Sequence, residues 1–131
     1  MRYLLAFFLM LALYGSAYSQ RTRRLMLFAV DSTNTELLQQ RAWLEAEREG
    51  VEARDIWLAI FTDPKKFRRM YEYHGVGRAD FTLVLIGKDG LEKLRLEKAM
   101  PAKDLFDFID AMILRQEEFN VEGQTGGRND R

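Results

Sequence analysis

The stretch from Asp80 to Lys98, DFTLVLIGKDGLEKLRLEK, limits the possible folds more than any other part of this chain. It contains two apolar runs that are separated by Asp89-Gly90. This dipeptide between apolar runs is a strong signal for a β-hairpin, because a two-residue type I′ turn needs positive φ at both of its central residues. We therefore predict two antiparallel strands with Asp89 and Gly90 at the tip.

Counting outward from this two-residue turn predicts which side chains lie opposite each other. The expected pairs are Leu85 with Leu94, Leu83 with Leu96 and Phe81 near Lys98 on an apolar face, and Ile86 with Lys93, Val84 with Arg95 and Thr82 with Glu97 on a mixed face. A shift of one residue would place leucine opposite charge, so pattern and turn indicate the same register. The charges on the second strand are typical of a sheet edge.

Two more apolar runs, Arg24 to Val30 and Asp55 to Thr62, show no alternation. Continuous apolar runs of this length are typical of strands that are buried on both faces, with helices above and below the sheet. The stretch between them is long enough for a helix, and it therefore predicts a right-handed parallel crossover.

The crossover helix is predicted from about Asn34 to Glu49. Thr33 and Glu36 fit a capping box at its start, and Gly50 is placed to end it in a left-handed conformation. Arg41 falls within the apolar arc, either as a stem whose head reaches solvent or as a paired, partly buried cation. The arc itself is expected to consist of Leu37, Leu38, Ala42, Leu44 and Ala46.

Two further helices are predicted. The first follows Asp63-Pro64, an N-cap and a first-turn proline, and reaches about Tyr73, where His74 is expected to cap it through the helix dipole. Its inward residues are Phe67, Met70 and Tyr71, and its solvated basic residues are Lys65, Lys66, Arg68 and Arg69. The second begins at Pro101 and reaches about Phe119. The residues that we expect to cover the leucine face of the hairpin are Leu105, Phe108, Ile109, Met112 and Ile113.

The predicted order, β-α-β-α-β-β-α, resembles the thioredoxin fold. That resemblance implies an α/β domain with a four-stranded mixed sheet in the order 2-1-3-4, the first and last helices on one face and the middle helix on the other. From Arg24 to Phe119 the chain more closely resembles a family of secreted thioredoxin-like, peroxiredoxin-related domains of unknown function, which also occur beside sushi repeats in extracellular proteins. The most specific shared segments are GKDG and the pattern of Ile109, Asp110, Met112 and Arg115.

The chain has no cysteine, which excludes disulfides, thiol catalysis and cysteine-based zinc sites. In redox-active proteins of this fold, a cysteine lies at the start of the first helix and faces a cis-proline before the third strand. Here the first position reads Asp31-Ser32-Thr33-Asn34, and Asp80 or Phe81 occupies the second. We therefore expect no thiol-disulfide oxidoreductase or peroxidase activity.

The candidate binding residues lie at this same end of the sheet: Asp31, Ser32, Thr33, Asn34, Arg41 and Asp63. Ser32 or Thr33 could act as a nucleophile only with a base in reach, and the alternative is that both cap the helix. Asp31 and Asp63 follow adjacent strands and could meet at a divalent metal. We nevertheless predict no metal site and no cofactor, and we expect no catalytic role for His74.

A second set of charged residues flanks the strands. Arg54 is expected to form an ion pair at a strand edge, with Asp55 as its neighbour, and Lys88 and Asp89 fit as turn residues. On the last helix, Asp110, Arg115 and Glu118 can pair locally. If several of these charges instead converge, together with Lys93 and Arg95, they form a mixed-charge patch suited to protein recognition.

Residues 1–19 are predicted to be a signal peptide. Arg2 precedes an apolar run from Tyr3 to Tyr14, and Ala17-Tyr18-Ser19 predicts cleavage before Gln20. The domain then covers residues 20–119, and the polar, glycine-rich residues 120–131 are predicted to be a disordered tail. The protein is thus expected to be exported, periplasmic or secreted, with no stable membrane span. An uncleaved N-terminal anchor is the alternative, since basic residues directly follow the apolar run.

These features predict a non-enzymatic module that binds another protein or a small ligand. An enzyme with cysteine-independent chemistry at residues 31–34, and an anchored structural subunit of an envelope complex, are the alternatives. The expected partner is an envelope or extracellular protein. A formal net charge of zero provides no basic field for nucleic acid, which we do not expect as a partner.

Overall fold

A computed structural model of the chain describes residues 21–115. The predicted signal peptide, its cleavage point, the predicted tail and the predicted end of the last helix near Phe119 lie outside these residues. Between residues 21 and 115, no helix is both long enough and apolar enough to cross a membrane.

The chain forms a four-stranded sheet with helices on both faces. In chain order the elements are β1 (Arg23–Ala29), α1 (Thr35–Ala46), α2 (Arg48–Ala53), β2 (Ile56–Phe61), α3 (Arg68–Tyr73), β3 (Phe81–Ile86), β4 (Glu92–Leu96) and α4 (Ala102–Arg115). The strand order is β2-β1-β3-β4. Strand β1 runs parallel to β2 and antiparallel to β3, which is antiparallel to β4. The predicted α/β architecture and strand order are therefore confirmed.

The two faces of the sheet bury separate apolar clusters. On one face, α1 and α4 cover the odd-numbered residues of β1 and β3, and this larger cluster includes Leu25, Leu27, Leu37, Leu44, Leu83, Leu85, Leu105, Ile109 and Met112. On the other face, α3 covers Met26, Phe28, Val84 and Ile86 with Met70 and Tyr71. The first and last helices thus share a face, as predicted, and α4 covers the leucine face of the hairpin.

The hairpin has the predicted register but a different turn. Leu83 lies opposite Leu96 and Leu85 opposite Leu94, but Ile86 lies opposite Glu92 rather than Lys93 because the register shifts there. Of the two turn residues only Gly90 has positive φ, 81°. The Gly90 N–H donates to the Gly87 carbonyl, and the Gly87 N–H donates to the Leu91 carbonyl. The prediction of a two-residue turn was wrong. The strands are joined by a wider loop, and the shift in register at Ile86 accounts for one additional residue in it.

The first helix starts and ends differently from the prediction. Asn34, not Thr33, is the N-cap, and its side-chain oxygen accepts from the Leu37 N–H at 3.0 Å. The helix breaks at Glu47, and Gly50 lies inside α2 without positive φ. Gly50 is needed for close approach instead, because a methyl group there would meet the ring of Phe106, 2.8 Å from Cζ.

The buried arc of α1 also differs from the prediction. Leu37 and Leu44 are buried, but Leu38 is exposed and the polar Gln40 is fully buried in its place. Gln40 is satisfied by the backbone of Met100. Its Nε2 donates to the Met100 carbonyl at 2.9 Å, and its Oε1 accepts from the Met100 N–H at 2.7 Å. Hydrophobic periodicity cannot reveal a polar side chain whose partner is distant in sequence.

Strand β2 was predicted to be buried on both faces, and that prediction was wrong. It is an edge strand whose residues are only partly buried, and Trp57 is 58% exposed. In α4, Phe106 is buried where Ile113 was expected, and Ile113 is largely exposed. Helix α3 begins only at Arg68, after a turn that starts at Asp63-Pro64.

Candidate functional site

The loop between β1 and α1 holds four of the predicted site residues. The Asp31 carboxylate oxygen Oδ1 accepts from the Thr33 hydroxyl at 2.7 Å and from the Thr33 N–H at 2.8 Å. The hydrogen bond from that hydroxyl lowers the pKa of Asp31. A carboxylate with a lowered pKa is a weak base, so this pair is arranged to hold the loop rather than to activate the Thr33 hydroxyl. Ser32 is exposed beside it.

Asn34 links this loop to the start of β3. Besides capping α1, its Nδ2 donates to the Asp80 carbonyl at 3.3 Å, and that carbonyl also accepts from the Val30 N–H at 3.1 Å. Asp80 is one of the two residues, with Phe81, that were predicted to occupy the place of the cis-proline in redox-active proteins of this fold. No peptide bond between residues 21 and 115 is cis. The polar groups of this loop are thus largely used by the chain itself.

Asp63, the next predicted site residue, caps its own turn. Its Oδ1 accepts from the N–H groups of Lys65 and Lys66, each at 3.1 Å. Nearby, the Tyr71 hydroxyl lies 2.8 Å from the carbonyl oxygens of both Ala29 and Phe61 and fixes the ends of β1 and β2. Across the described part of the chain, no three histidine, aspartate or glutamate side chains are grouped as a metal would require.

Arg41 and His74 lie away from the loop. Arg41 is exposed on α1, where it lines a groove beside β2 with Leu58 and Ile60, which agrees with the interpretation that its head reaches solvent. The ring of His74 packs 5.7 Å from that of Phe28. Burial, then Arg24 and Arg95, lower the pKa of His74. His74 is the C-cap residue of α3, as predicted, but the lowered pKa favours the neutral ring over the cation that would interact with the helix dipole.

At the opposite end of the sheet, charges from separate segments converge. We call the set formed by Arg23, Arg54, Asp55, Lys88 and Asp110 the charged cluster. With Ala53 and Ile113, these residues line a groove of about 380 Å³. The hypothesis that charged residues converge is confirmed for Arg54, Lys88 and Asp110, although Lys93 and Arg95 do not line this groove.

Arg54 is the best-held member of the charged cluster. Its Nε and Nη2 donate to the two carboxylate oxygens of Asp110 at 3.0 and 2.9 Å, and its Nη1 donates to the Gly50 carbonyl at 3.1 Å. The guanidinium lies 4.1 Å from the centre of the Phe106 ring. The hydrogen bond from Arg54 lowers the pKa of Asp110. The partner of Arg54 is thus Asp110 and not its neighbour Asp55, and Asp110 pairs across the fold rather than within its helix.

Asp55 joins the hairpin tip to the start of β2. Its Oδ2 lies 2.7 Å from Lys88 Nζ, and this contact lowers the pKa of Asp55. The residue adopts φ of 51°, a left-handed conformation that aspartate tolerates better than most residues. Arg23 completes the arrangement, since its Nη1 donates to the Arg54 carbonyl at 2.6 Å. Lys88 was predicted only as a turn residue, but it also forms an ion pair with Asp55.

Comparison with known protein families decides the relationship. The sequence profile of a family described as "Domain of unknown function (DUF4174)" matches residues 16–118. The chain belongs to the DUF4174 family. No curated protein matches it.

Solved structures that resemble this chain include a thioredoxin, a peroxiredoxin and a putative thiol:disulfide interchange protein. Chloroplastic thioredoxin z matches the DUF4174 chain with a TM-score of 0.57 and 19% identity, over 79% of this chain and 88% of that one. The 2-Cys peroxiredoxin of Plasmodium vivax matches with a TM-score of 0.58 and 13% identity, over 73% of this chain and 80% of that one. A putative thiol:disulfide interchange protein DsbE from Chlorobium tepidum matches with a TM-score of 0.52 and 17% identity, over 72% of this chain and 79% of that one. These similarities establish a thioredoxin-like fold for the DUF4174 chain, which has no cysteine.

Proposed function

We propose that this DUF4174 domain is an exported, non-enzymatic module that binds another protein through the charged cluster. The observation that carries the proposal is the convergence of Arg54, Asp55, Lys88 and Asp110, from separate segments, on one open groove. Both carboxylates remain partly accessible, with side-chain exposures of 48% for Asp110 and 42% for Asp55. A partner can therefore contact charges whose positions are already fixed, which reduces the ordering cost of binding.

The proposal places binding at the charged cluster rather than at residues 31–34. In that loop, Asp31 and Asn34 already accept hydrogen bonds from the Thr33 and Leu37 backbone, so few acceptors are left for a ligand. The absence of cysteine supports a role without thiol chemistry. Alternating positive and negative groups around a groove favour a partner with the complementary pattern, and such patterns act mainly on specificity and association rate.

The test uses a photo-crosslinking residue at Ile113, which lines the groove, and the same residue at Ser32 at the opposite end of the sheet. The protein is produced in its native cell and irradiated. We expect a defined protein adduct from Ile113 and none from Ser32. An adduct from Ser32 alone would move the binding surface to the first loop, and no adduct from either position would contradict a protein partner.

A charge-swapped variant separates recognition from folding. Asp55→Lys combined with Lys88→Glu preserves an ion pair in the same place but inverts its direction. We expect a modest fall in melting temperature without loss of the fold, because lysine tolerates the left-handed conformation at residue 55 less well than aspartate, and we expect the Ile113 adduct to fall at least tenfold. If the adduct persists at full yield, the Asp55–Lys88 pair has only a structural role.

A further inference from the structure

We propose that two copies of this chain associate edge to edge through β2, antiparallel and around a two-fold axis at Ala59. The two four-stranded sheets then form one continuous sheet. The proposal concerns a different surface from the charged cluster and does not depend on it.

The outer side of β2 has unused backbone groups. Within residues 21–115, β2 pairs only with β1 and forms one edge of the sheet. The Asp55 carbonyl accepts from the Arg23 N–H, so the odd-numbered residues of this strand direct their backbone groups toward β1. By alternation, Ile56, Leu58 and Ile60 direct their N–H and C=O groups outward. These residues can form a full antiparallel ladder with another strand.

The two edges of the sheet are protected to different extents. Strand β4 carries Glu92, Lys93 and Arg95, and its pairing with β3 is interrupted by a register shift. Charges and bulges of this kind discourage further strand pairing. Strand β2 reads IWLAIF, with no charge and no proline, and pairs with β1 without interruption from Ile56 to Phe61. The protein thus blocks one edge and leaves the other open.

The sequence of β2 is complementary to itself in the antiparallel direction. With Ala59 on the two-fold axis, Trp57 lies opposite the partner's Phe61, and Leu58 lies opposite the partner's Ile60. Ala59 then lies opposite its own copy in a non-hydrogen-bonded pair, where Cα atoms approach to about 4.5 Å and a small side chain fits. Trp57, 58% exposed in the single chain, would be covered by a cross-strand aromatic contact.

The charges beside this edge are also self-complementary. Helix α1 and the following turn border a groove of about 210 Å³ along β2, with Arg41, Glu45 and Arg48 on its rim. Glu45 already pairs with Arg48 of its own chain, and the signs alternate along this row, so a copy that runs in the opposite direction brings this pair toward the partner's arginines and glutamate. The formal net charge of zero adds no overall repulsion between copies. These features favour a second copy over an unrelated extended peptide.

The proposed register between the two β2 strands is tested with single introduced cysteines. The chain has no cysteine of its own, so any disulfide must join the introduced residues of two copies. Ala59→Cys places two thiols across the axis at a separation that a disulfide can span. Trp57→Cys is the matched control on the same strand and face, because its copy lies about 14 Å away. Under mild oxidation we expect a covalent dimer from Ala59→Cys and at most a tenth as much from Trp57→Cys. Equal yields, or no dimer from Ala59→Cys, would overturn the proposed pairing.

The association is tested by light scattering on the purified protein at micromolar concentration. We expect twice the chain mass for the wild type and a single chain mass for Ala59→Lys and Ala59→Glu, whose like charges face each other. Mixing the two variants should restore the dimer, which loss of folding could not do. A monomeric wild type would refute the proposal and leave this edge to a foreign peptide or to residues 1–20.

Discussion

The guanidinium of Arg54 and the carboxylate of Asp110 form a two-point hydrogen bond that ties the entry to β2 to the last helix. The two residues are 56 positions apart. The Phe106 ring lies under the guanidinium, so the cation is held by charge and by an aromatic face together. The same guanidinium also donates to the carbonyl of Gly50. One side chain therefore joins α2, β2 and α4 at one end of the sheet.

This pair predicts a pH-dependent stability. Because Arg54 lowers the pKa of Asp110 in the folded protein, the stabilisation is present above the unfolded pKa of about 4 and is lost as pH falls through the folded value. Asp110→Asn should lower the free energy of unfolding by about 1 kcal/mol at pH 7, a value limited by the exposure of the pair. Urea unfolding should show the gap from wild type narrowing below pH 4. Glu97→Gln, at an exposed position, is the control, and the difference between its free energy of unfolding and that of the wild type should not change over this pH range.

The hairpin tip contains a buried ion pair. The Asp89 side chain is only 2% exposed, and its carboxylate lies 2.7 Å from Lys93 Nζ and accepts from the Leu91 N–H at 3.0 Å. Burial acts to raise the pKa of Asp89, but these two contacts outweigh it and lower the pKa overall. Asp89→Ala should destabilise by about 2–3 kcal/mol, since Lys93 loses its buried carboxylate partner. The double variant Asp89→Ala, Lys93→Met should recover part of this loss in denaturant unfolding. If the losses of the two single variants simply add in the double variant, the two side chains are not energetically coupled and the prediction is contradicted.

Gly50 is predicted to tolerate no side chain because of packing, not backbone conformation. A methyl group at this position overlaps the Phe106 ring and lies 3.3 Å from Arg54 Nη1. Gly50→Ala should lower the free energy of unfolding by about 1–3 kcal/mol, the range for overpacking. Gly77→Ala is the matched control, since nothing lies within 4 Å of its added methyl group. Thermal unfolding should show little change for Gly77→Ala, and equal loss for both variants would contradict the packing explanation.

Gln40 is predicted to be one of the most sensitive positions in α1. Its amide donates one hydrogen bond to the Met100 carbonyl and accepts one from the Met100 N–H. Gln40→Met keeps the volume but leaves a buried N–H and C=O without this partner, which should cost about 2–3 kcal/mol in unfolding experiments. The neighbouring exposed Gln39→Met should change stability by less than about 0.5 kcal/mol. Amide exchange should also accelerate at Met100 in Gln40→Met alone.

Most of the architecture could be predicted because it follows from local patterns. The apolar runs, the turn signal before Gly90 and the amphipathic stripe of α4 are all readable within short windows. Together they indicated the order of the elements and the leucine-rich core, whereas the strand order was implied by the resemblance to the thioredoxin fold. The detailed turn could not be predicted, because the choice between a two-residue turn and a wider loop depended on contacts of the Asp89 carboxylate with Leu91 and Lys93.

The sequence by itself determined the fold class, the leucine face of the hairpin and the absence of thiol chemistry, which composition alone decides. Only the tertiary structure decided that Arg54 pairs with Asp110, that Gln40 is buried against Met100 and that β2 is only partly buried. The physical reason is distance along the chain. Periodicity and turn preference act over a few residues, whereas these pairings form only when closure of the fold brings remote segments within hydrogen-bond reach.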